Sequence, residues 1–355
     1  MKKVLLIGPF PPLYSYGGPT KSIYGLYKTL KANNIKCKVL SPAKDLINKK
    51  NKINISNENI IYSSNFYFSF IHLLKSYRII WFNSFFEFKL IFILILKIFL
   101  KFKLIVSPRG QLSKSAIHTS NPFIKRLFIK FIFLWKKSIY FHSTSKDETS
   151  DIKNYFPECK ITQITNIFYS EFKENKSIDK KFIFYSRIHK KKGLDLLLDV
   201  LVKEKMNINL DIFGFKEDIR YWNECEKKIR LLKNVNYCGY LESGDISQLK
   251  NKYTFFLLPT HNENFGHVII ELISIGIIPL LSKKTTPYDE IIESKVGLNF
   301  QINNSNEIKA IILKALNLSD KEVIEKKTSV KEIFHTINSN QQIVKEDYIN
   351  FIMSI

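Results

Sequence analysis

The sequence has few cysteines and few acidic residues for its length. Four cysteines occur in 355 residues, and none lies in a Cys-x-x-Cys pair or at metal-ligand spacing from a histidine. This excludes a disulfide framework and a zinc site, and it is typical of a reducing cytoplasm. Only 32 Asp and Glu stand against 55 Lys and Arg, which gives a net charge of +23. Nucleic acid, an anionic membrane or small anionic substrates would all match that charge, as would a general enrichment in solvated lysines.

Long hydrophobic runs are also absent. The most apolar stretch, Leu90–Leu100, is interrupted by Lys97 and flanked by further charges, so it is shorter than the 18 or more residues of a spanning helix. We expect a core helix between strands there. The apolar stretch at the amino end, Val4–Ile7, stops at Gly8, which predicts a first β-strand and not a signal peptide.

Two series of alternating strands and helices run along the chain. Short apolar runs separated by amphipathic segments predict parallel α/β sheets, and the polar stretch 175–180 between the two series predicts a linker. We therefore predict an N-terminal Rossmann-like domain (residues 1–172), a C-terminal Rossmann-like domain (173–330) facing it across a cleft, and a helix at 331–355 that packs back toward the first domain. Ligands of such sheets bind beyond the carboxyl ends of the strands.

Two glutamates eight positions apart form the most informative pattern. Glu263 and Glu271 bracket a Phe265-Gly266 step between two apolar runs. This order predicts strand, loop, short helix and strand, with Glu263 in the loop, Gly266 opening the helix and Gly276 ending it. The helix is apolar on nearly all sides, so it is expected to be buried, and an acid there needs a polar partner. Two solvated surface acids are the alternative interpretation.

Two further loops have the composition of anion sites. A cationic loop from Arg187 to Lys192 follows a predicted strand and ends in glycine before a helix, which favours phosphate binding over a solvated loop. Gly17 and Gly18 precede a helix, where backbone N–H groups would face an anion, although a glycine pair is also common at ordinary turns. Gly214, after another strand, is expected to permit close approach of the backbone.

These motifs together resemble the retaining nucleotide-sugar glycosyltransferases of family GT4, which have the two-domain GT-B fold. The resemblance implies that Glu271 binds the ribose hydroxyls, that Glu263 binds the sugar, and that Arg187 and Lys192 neutralise the diphosphate. The remaining members of the implied donor site are Gly17, Gly18, Phe265, Gly266, Gly214 and Arg109. Because no Asp-x-Asp ends a strand, these cations are expected to replace a divalent metal, and no cofactor is expected.

Arg109 is the member of this set with two alternative interpretations. It stands in Ser107-Pro108-Arg109-Gly110, where many members of the family have His-Gly, so the role of that histidine does not carry over. Arg109 is either a contact to acceptor or phosphate or one side of a structural ion pair. His118 lies a few residues on, and its setting does not identify it as a base.

A basic and aromatic helix is predicted at 122–137. Ile124, Leu127 and Phe128 share one face, with lysines and an arginine largely on the other. Such a helix suits either the interface of an anionic leaflet or its own domain core. The first alternative fits a lipid-linked acceptor.

The predicted protein is a hexosyl or N-acetylhexosaminyl transferase. It would use a nucleotide sugar, with UDP as the expected nucleotide, and a saccharide acceptor that is lipid-linked through polyprenyl diphosphate, in the synthesis of surface polysaccharide such as O-antigen, lipopolysaccharide or capsule. Its expected place is the cytoplasm or the inner face of the cell membrane, as a peripheral protein without a nucleic-acid partner. The alternatives are a sugar-nucleotide epimerase of the same fold and a non-enzymatic basic module that binds membranes or nucleic acids.

Overall fold

The structure is a computed structural model that describes residues 2–11, 17–42, 58–118, 121–241 and 246–355. The chain divides into two compact units: unit 1 comprises residues 1–168 and 341–355, and unit 2 comprises residues 169–340. The boundaries between the units fall after residues 168 and 340, whereas the sequence pattern predicts them after residues 172 and 330. Residues 44–59 are polar and rich in Asn and Lys, which predicts a surface excursion; they lie almost entirely outside the described residues, as do Pro12 to Tyr16.

Unit 1 is built around a seven-stranded parallel sheet. Its strands are β1 Lys3–Ile7, β2 Lys36–Pro42, β3 Ile60–Ser63, β4 Ile79–Phe82, β5 Lys103–Val106, β6 Ile139–Ser143 and β7 Lys160–Gln163. Their spatial order is β3-β2-β1-β4-β5-β6-β7. The order reverses direction between β1 and β4, so right-handed crossovers place helices on both faces of the sheet.

The helices of unit 1 form two layers. They are α1 Gly18–Ala32, α2 Phe66–Leu74, α3 Phe88–Phe99, α4 Lys114–His118, α5 Pro122–Phe133, α6 Lys146–Tyr155 and, at the end of the chain, α13 Gln341–Ser354. Helices α2, α3, α5 and α6 share one hydrophobic core with the sheet. Helices α1 and α13 share the core on the opposite face, where Val344, Tyr348 and Ile352 are buried. Residues 331–339 instead continue a helix of unit 2.

Unit 2 contains a five-stranded parallel sheet. Its strands are β8 Lys181–Tyr185, β9 Asn209–Phe213, β10 Val235–Tyr237, β11 Phe255–Leu258 and β12 Ile278–Leu281, in the order β10-β9-β8-β11-β12. Its helices are α7 Leu194–Lys203, α8 Ile219–Ile229, α9 His267–Ser274, α10 Asp289–Lys295, α11 Ser305–Asn317 and α12 Asp320–Ser339. The strand order reverses between β8 and β11, and the candidate site residues of this unit cluster at that reversal.

The predicted linker is wrong, because its residues pack within unit 2. Asn175 is buried and donates through Nδ2 to the carbonyl of Tyr253 at 2.8 Å. Lys327 of α12 donates to the carbonyls of Asn175 and Ser177, and burial lowers its pKa to about 8. Asn175 and Ser177 are therefore buried polar residues whose side chains and carbonyls are bonded within unit 2, while Lys176 between them is exposed.

Two helices of unit 1 differ from their predictions. Helix α3 was expected to be a core helix, yet it buries only Leu90, Ile93 and Leu94 and leaves Phe88, Ile95, Ile98 and Phe99 exposed. Helix α5 buries a face formed by Phe128, Ile129 and Ile132 and exposes a second apolar face. The core alternative therefore describes the buried face of α5, and the membrane-interface alternative, which would concern the exposed face, stays a prediction. No helix in the described part of the chain is long and apolar enough to span a membrane.

Candidate functional site

The loops that follow β8 and β11 meet through an ion pair. Lys192 ends a short 3₁₀ turn after β8, and its Nζ donates to Oε1 of Glu263 in the loop after β11. The two side chains are only 10% and 11% exposed. A pair so poorly solvated is held at a defined position and forms a polar feature at the carboxyl ends of the two central strands.

Backbone and hydroxyl hydrogen bonds fix the loop that carries Glu263. The amide of Glu263 donates to the carbonyl of Thr285 at 2.7 Å, and Thr260 Oγ1 lies 3.3 Å from Glu263 Oε1. The amide of His261 donates to the carbonyl of Lys191, which joins this loop to the cationic turn. The hydroxyl of Ser282, after β12, donates to the carbonyl of Thr260. Three successive strand ends are thereby tied into one rigid platform.

Helix α9 begins one residue after Gly266, as predicted. Gly266 has φ +69° and a Cβ there would lie 2.8 Å from Ile269 Cδ1, so a side chain at this position would meet both backbone strain and a clash. Glu271 lies on the helix among buried isoleucines and is partly exposed. Burial and the negative charge of Glu271 together raise the pKa of Tyr185 at the end of β8. Glu271 therefore lies near the same strand end as the cationic loop.

Two aromatic side chains lie close to Glu263. Phe265 is buried and meets the ring of Tyr288 edge-on, with centroids 6.0 Å apart. Burial and then Glu263 raise the pKa of Tyr288, and its buried hydroxyl has no hydrogen-bond partner among the described residues. The ring of Phe265 is thus buried against Tyr288, and its predicted contact with the donor stays a prediction.

Arg187 occupies a different position from Lys192. Its NH1 forms a salt bridge of 2.8 Å with Glu217, and both side chains are 39% exposed. A pair with this exposure contributes about 0–1 kcal/mol and exchanges partners easily. The structure therefore shows one cation of the loop, Lys192, buried against Glu263 and the other, Arg187, at the solvent edge.

Two glycines allow the backbone to pass closely in this platform. A Cβ on Gly214 would lie 1.8 Å from the carbonyl oxygen of Ser186, and one on Gly193 would lie 1.9 Å from that of Pro259. Gly214 was predicted to be a close-approach glycine, and the approach seen here is to the chain's own backbone. Its predicted contact with a ligand stays a prediction.

In unit 1, the predicted site residues Gly17 and Gly18 lie at the start of α1. Gly17 has φ +64° and caps α1, whose first turn begins with Gly18 and Pro19; Pro19 has no backbone N–H, and the predicted anion contact of Gly17 and Gly18 stays a prediction. His118 is exposed at the end of α4.

Arg109 lies at the centre of a buried polar network of unit 1. Its NH1 donates to Asn166 Oδ1 and its NH2 to Asn83 Oδ1, each at 2.6 Å. Burial lowers the pKa of this guanidinium, and its neighbour is the Tyr348 hydroxyl of α13. Neutral amides hold the guanidinium, and the charge of Glu148 acts on it without a salt bridge among the described residues. Its predicted contact with acceptor or phosphate stays a prediction.

Several residues of the platform give no signal in the sequence. Thr260, Ser282, Thr285 and Asp289 are small polar residues after strands, and only their hydrogen bonds reveal a role; Asp289 Oδ2 accepts from the amide of Thr285 at 2.7 Å. Their position at strand ends was the one available clue. Among the residues that the structure describes, no group of three or more His, Cys, Asp or Glu could hold a metal ion.

Comparison with known structures identifies the fold. Sucrose-phosphate synthase from Thermosynechococcus elongatus matches over 100% of both chains with a TM-score of 0.75 and 12% identity. Anabaena Alr3699/HepE, solved in complex with UDP-glucose, matches over 100% of both chains with a TM-score of 0.70 and 15% identity. The predicted fold class is confirmed: this is the fold of the GT-B glycosyltransferases.

The family follows from the sequence of unit 2. Residues 167–331 match the family described as "Glycosyl transferases group 1", so this segment is a domain of that family and the predicted class, glycosyltransferases, is confirmed for it. A relative, the capsular polysaccharide biosynthesis glycosyltransferase CapM of Staphylococcus aureus, is 26% identical over 175 residues, 48% of this chain. The chain spans 43% of the length of that relative.

Proposed function

We propose that the protein is a retaining glycosyltransferase of family GT4 that transfers a hexose or N-acetylhexosamine from a UDP-sugar to a saccharide. The observation that carries this proposal is the Lys192–Glu263 pair at the strand ends of a group 1 domain, with Glu271 on the helix that follows. Lys192 would bind the diphosphate, Glu263 the sugar hydroxyls and Glu271 the ribose. A UDP-glucose complex of the similar HepE protein supports UDP as the nucleotide.

The proposed reaction breaks the bond between the anomeric carbon and the diphosphate oxygen. The acceptor hydroxyl forms its new bond on the same face of the sugar, and its proton passes to the departing phosphate oxygen. Cations near the diphosphate stabilise the negative charge that develops on the leaving group. Glu263 is paired with Lys192, which suits it for binding more than for nucleophilic attack, so a double displacement is not proposed.

The proposed acceptor is a lipid-linked saccharide of a surface polysaccharide. The capsular name of the Staphylococcus relative supports the pathway, and the net charge of +23 supports work beside an anionic membrane. Peripheral contact with that membrane is part of the proposal.

A donor screen with membrane extracts as acceptors tests the proposal. The wild-type protein should transfer sugar from one UDP-sugar, and Lys192→Ala or Glu263→Ala should reduce kcat/KM at least about a hundredfold, which corresponds to the loss of about 2.7 kcal/mol of transition-state stabilisation. Lys190 lies in the same turn and is exposed, so Lys190→Ala is the matched control and should retain activity. Turnover of the donor without any acceptor would indicate an epimerase or hydrolase instead. Undiminished transfer by both site variants would contradict the site.

A further inference from the structure

Unit 1 has a cationic cavity at one end of its sheet, opposite the carboxyl ends of its strands. The cavity has a volume of about 830 Å³ and is open to solvent along one side. It lies at the amino ends of three adjacent strands, where Lys3 begins β1, Arg78 precedes β4 and Lys103 begins β5. Ligands of doubly wound sheets bind at the carboxyl ends, so this cavity is separate from the proposed transfer site.

The charged side chains that line this cavity are all cationic. Its lining includes six cationic side chains and no acidic one: Lys2, Lys3, Arg78, Lys97, Lys101 and Lys103. Within the part of the chain that the structure describes, none of the six forms a salt bridge, although Lys2 donates to the carbonyls of Ile352 and Met353. Burial and the positive charge of Lys103 lower the pKa of Lys97. Cations held this close without acids favour a multivalent anion such as a phosphate ester.

The rim of the cavity is apolar and exposed. Ile98, Phe99 and Leu100, at the end of α3, line it and are 61%, 76% and 38% exposed. Phe88 and Ile95 continue the exposed stripe along the outer face of the helix at spacings that share that face. A soluble phosphate would gain nothing from this rim, whereas a lipid offers a phosphate and an acyl region together.

The surrounding helices extend the same surface chemistry. Helices α2 and α5 pack with α3 on one face of the sheet, and both expose large apolar side chains: Tyr67, Phe68, Ile71, Phe123, Ile124 and Leu127. From residue 66 to residue 137 the sequence has thirteen Lys and Arg and a single acid, Glu87. Large apolar side chains, both aliphatic and aromatic, beside cations that lack acidic partners match the interface of an anionic bilayer.

We propose that this cavity binds the phosphate-bearing headgroup of an anionic membrane lipid while the apolar end of α3 enters the bilayer interface. The proposal deepens the membrane contact of the proposed function, but it does not depend on sugar transfer. It also moves the predicted contact from α5 alone to the cavity and the outer face of α3. Unit 1 would then rest on the membrane through the amino ends of its strands.

Co-sedimentation of the full chain with lipid vesicles tests this directly. Vesicles of phosphatidylcholine with added phosphatidylglycerol should bind the wild-type protein, and vesicles of phosphatidylcholine alone should bind at least about tenfold more weakly. Arg78→Glu/Lys101→Glu/Lys103→Glu and, separately, Ile98→Ser/Phe99→Ser should each weaken binding about tenfold or more. Circular dichroism melts check that each variant folds; all five side chains are exposed, so folding should be retained.

A charge-matched variant provides the control. Lys233→Glu/Lys321→Glu/Lys331→Glu changes the net charge equally on exposed positions of unit 2 and should bind vesicles within about twofold of the wild type, because exposed charges beyond about 8 Å are screened at physiological salt. Equal binding by the wild type and the cavity variant would overturn the proposal. So would cavity-dependent binding of inorganic phosphate or of a single-stranded oligonucleotide with vesicle binding unchanged.

Donor turnover separates this proposal from the proposed function. With a soluble UDP-sugar, the acceptor extract solubilised in detergent and no vesicles, the cavity variants should match the wild-type rate, since none of the substituted residues belongs to the transfer site. Absent donor binding with intact vesicle binding would refute the transferase proposal alone. Intact donor turnover with cavity-independent vesicle binding would refute only the lipid site.

Discussion

The ammonium of Lys192 donates to the carboxylate of Glu263 and so joins the loops after two neighbouring parallel strands of unit 2. Both side chains are mostly buried, and Thr260 lies within hydrogen-bond distance of the same carboxylate oxygen. Removing one partner would leave the other charge poorly solvated, which costs more than the net strength of the pair. The proposed roles in donor binding and the stability of the loops therefore depend on the same contact.

A double-mutant cycle measures this coupling. Lys192→Met and Glu263→Gln should each lower the free energy of unfolding by about 1–3 kcal/mol, and the double variant should lose less than the sum, with a coupling energy of about 1–3 kcal/mol. Urea unfolding of the four proteins provides the measurement. Strict additivity would show that the pair contributes no interaction energy.

Arg187 should bind the donor directly, and its salt bridge with Glu217 should not be needed for that binding. Because that salt bridge is half-exposed, breaking it should cost stability less than about 1 kcal/mol. Arg187→Ala should weaken UDP binding by about tenfold or more, as expected for loss of a charged hydrogen bond to phosphate. Glu217→Gln keeps the arginine and removes only the partner, so calorimetry should show UDP affinity unchanged or improved. If Glu217→Gln weakens UDP binding as much as Arg187→Ala does, the arginine is a structural residue.

Transfer should continue without a divalent metal. The proposal assigns the charge of the leaving diphosphate to Arg187 and Lys192, so added EDTA should change kcat/KM by less than about twofold. The assay compares metal-stripped protein in EDTA with the same protein in added Mg²⁺. An absolute requirement for the metal would contradict the assignment of both cations.

Gly214 should tolerate no side chain. Alanine there would place Cβ 1.8 Å from the backbone oxygen of Ser186, and overpacking against backbone lowers the free energy of unfolding by about 3 kcal/mol. Gly239 is the matched control, since a Cβ there meets nothing within 4 Å and only its φ of +82° is unfavourable. Gly239→Ala should therefore cost about 1 kcal/mol in thermal or urea unfolding. Equal losses at the two positions would show that the close approach is not rigid.

The free energy of unfolding should be lower in mild acid than at neutral pH, because His142 is held neutral in the folded protein. Burial, followed by the charge of Arg109, lowers the pKa of His142 well below its ordinary value of 6.5. Nε2–H donates to the carbonyl of Ile164, so Nδ1 accepts from Ser107 Oγ, and the neutral ring is fully bonded. Below pH 6.5 the unfolded chain takes up a proton that the folded ring does not, so stability falls as pH falls by up to about 1.4 kcal/mol per pH unit.

Urea unfolding measured between about pH 7.5 and pH 5 checks this sign, because this range extends on the order of one unit to each side of the pKa of histidine in the unfolded chain. His142→Gln removes the titrating group and should have a shallower dependence of stability on pH, whatever its absolute stability. Parallel pH dependences for the two proteins would show that another group is responsible.

Much of the fold follows from local pattern. The runs Val4–Ile7 and Phe255–Leu258 are apolar and short, which predicts buried parallel strands, and both form as predicted. The linker at 175–180 was mispredicted because a polar stretch looks the same in the sequence whether its groups bind water or distant carbonyls. The contact with Lys327, 152 positions from Asn175, decides between the two.

For the candidate site, the sequence determined which chemistry is available. Local order predicts a phosphate-binding loop that ends in Lys192, and the family resemblance carried by the Glu263 and Glu271 spacing implies the contacts to the sugar and the ribose. The sequence did not show that Lys192 pairs with Glu263 while Arg187 pairs with Glu217, or that amides surround Arg109. Those partners come from distant segments, and only the tertiary structure brings them together. The same holds for the lipid site, because residues 2–3, 76–79 and 97–103 become neighbours only when three parallel strands align.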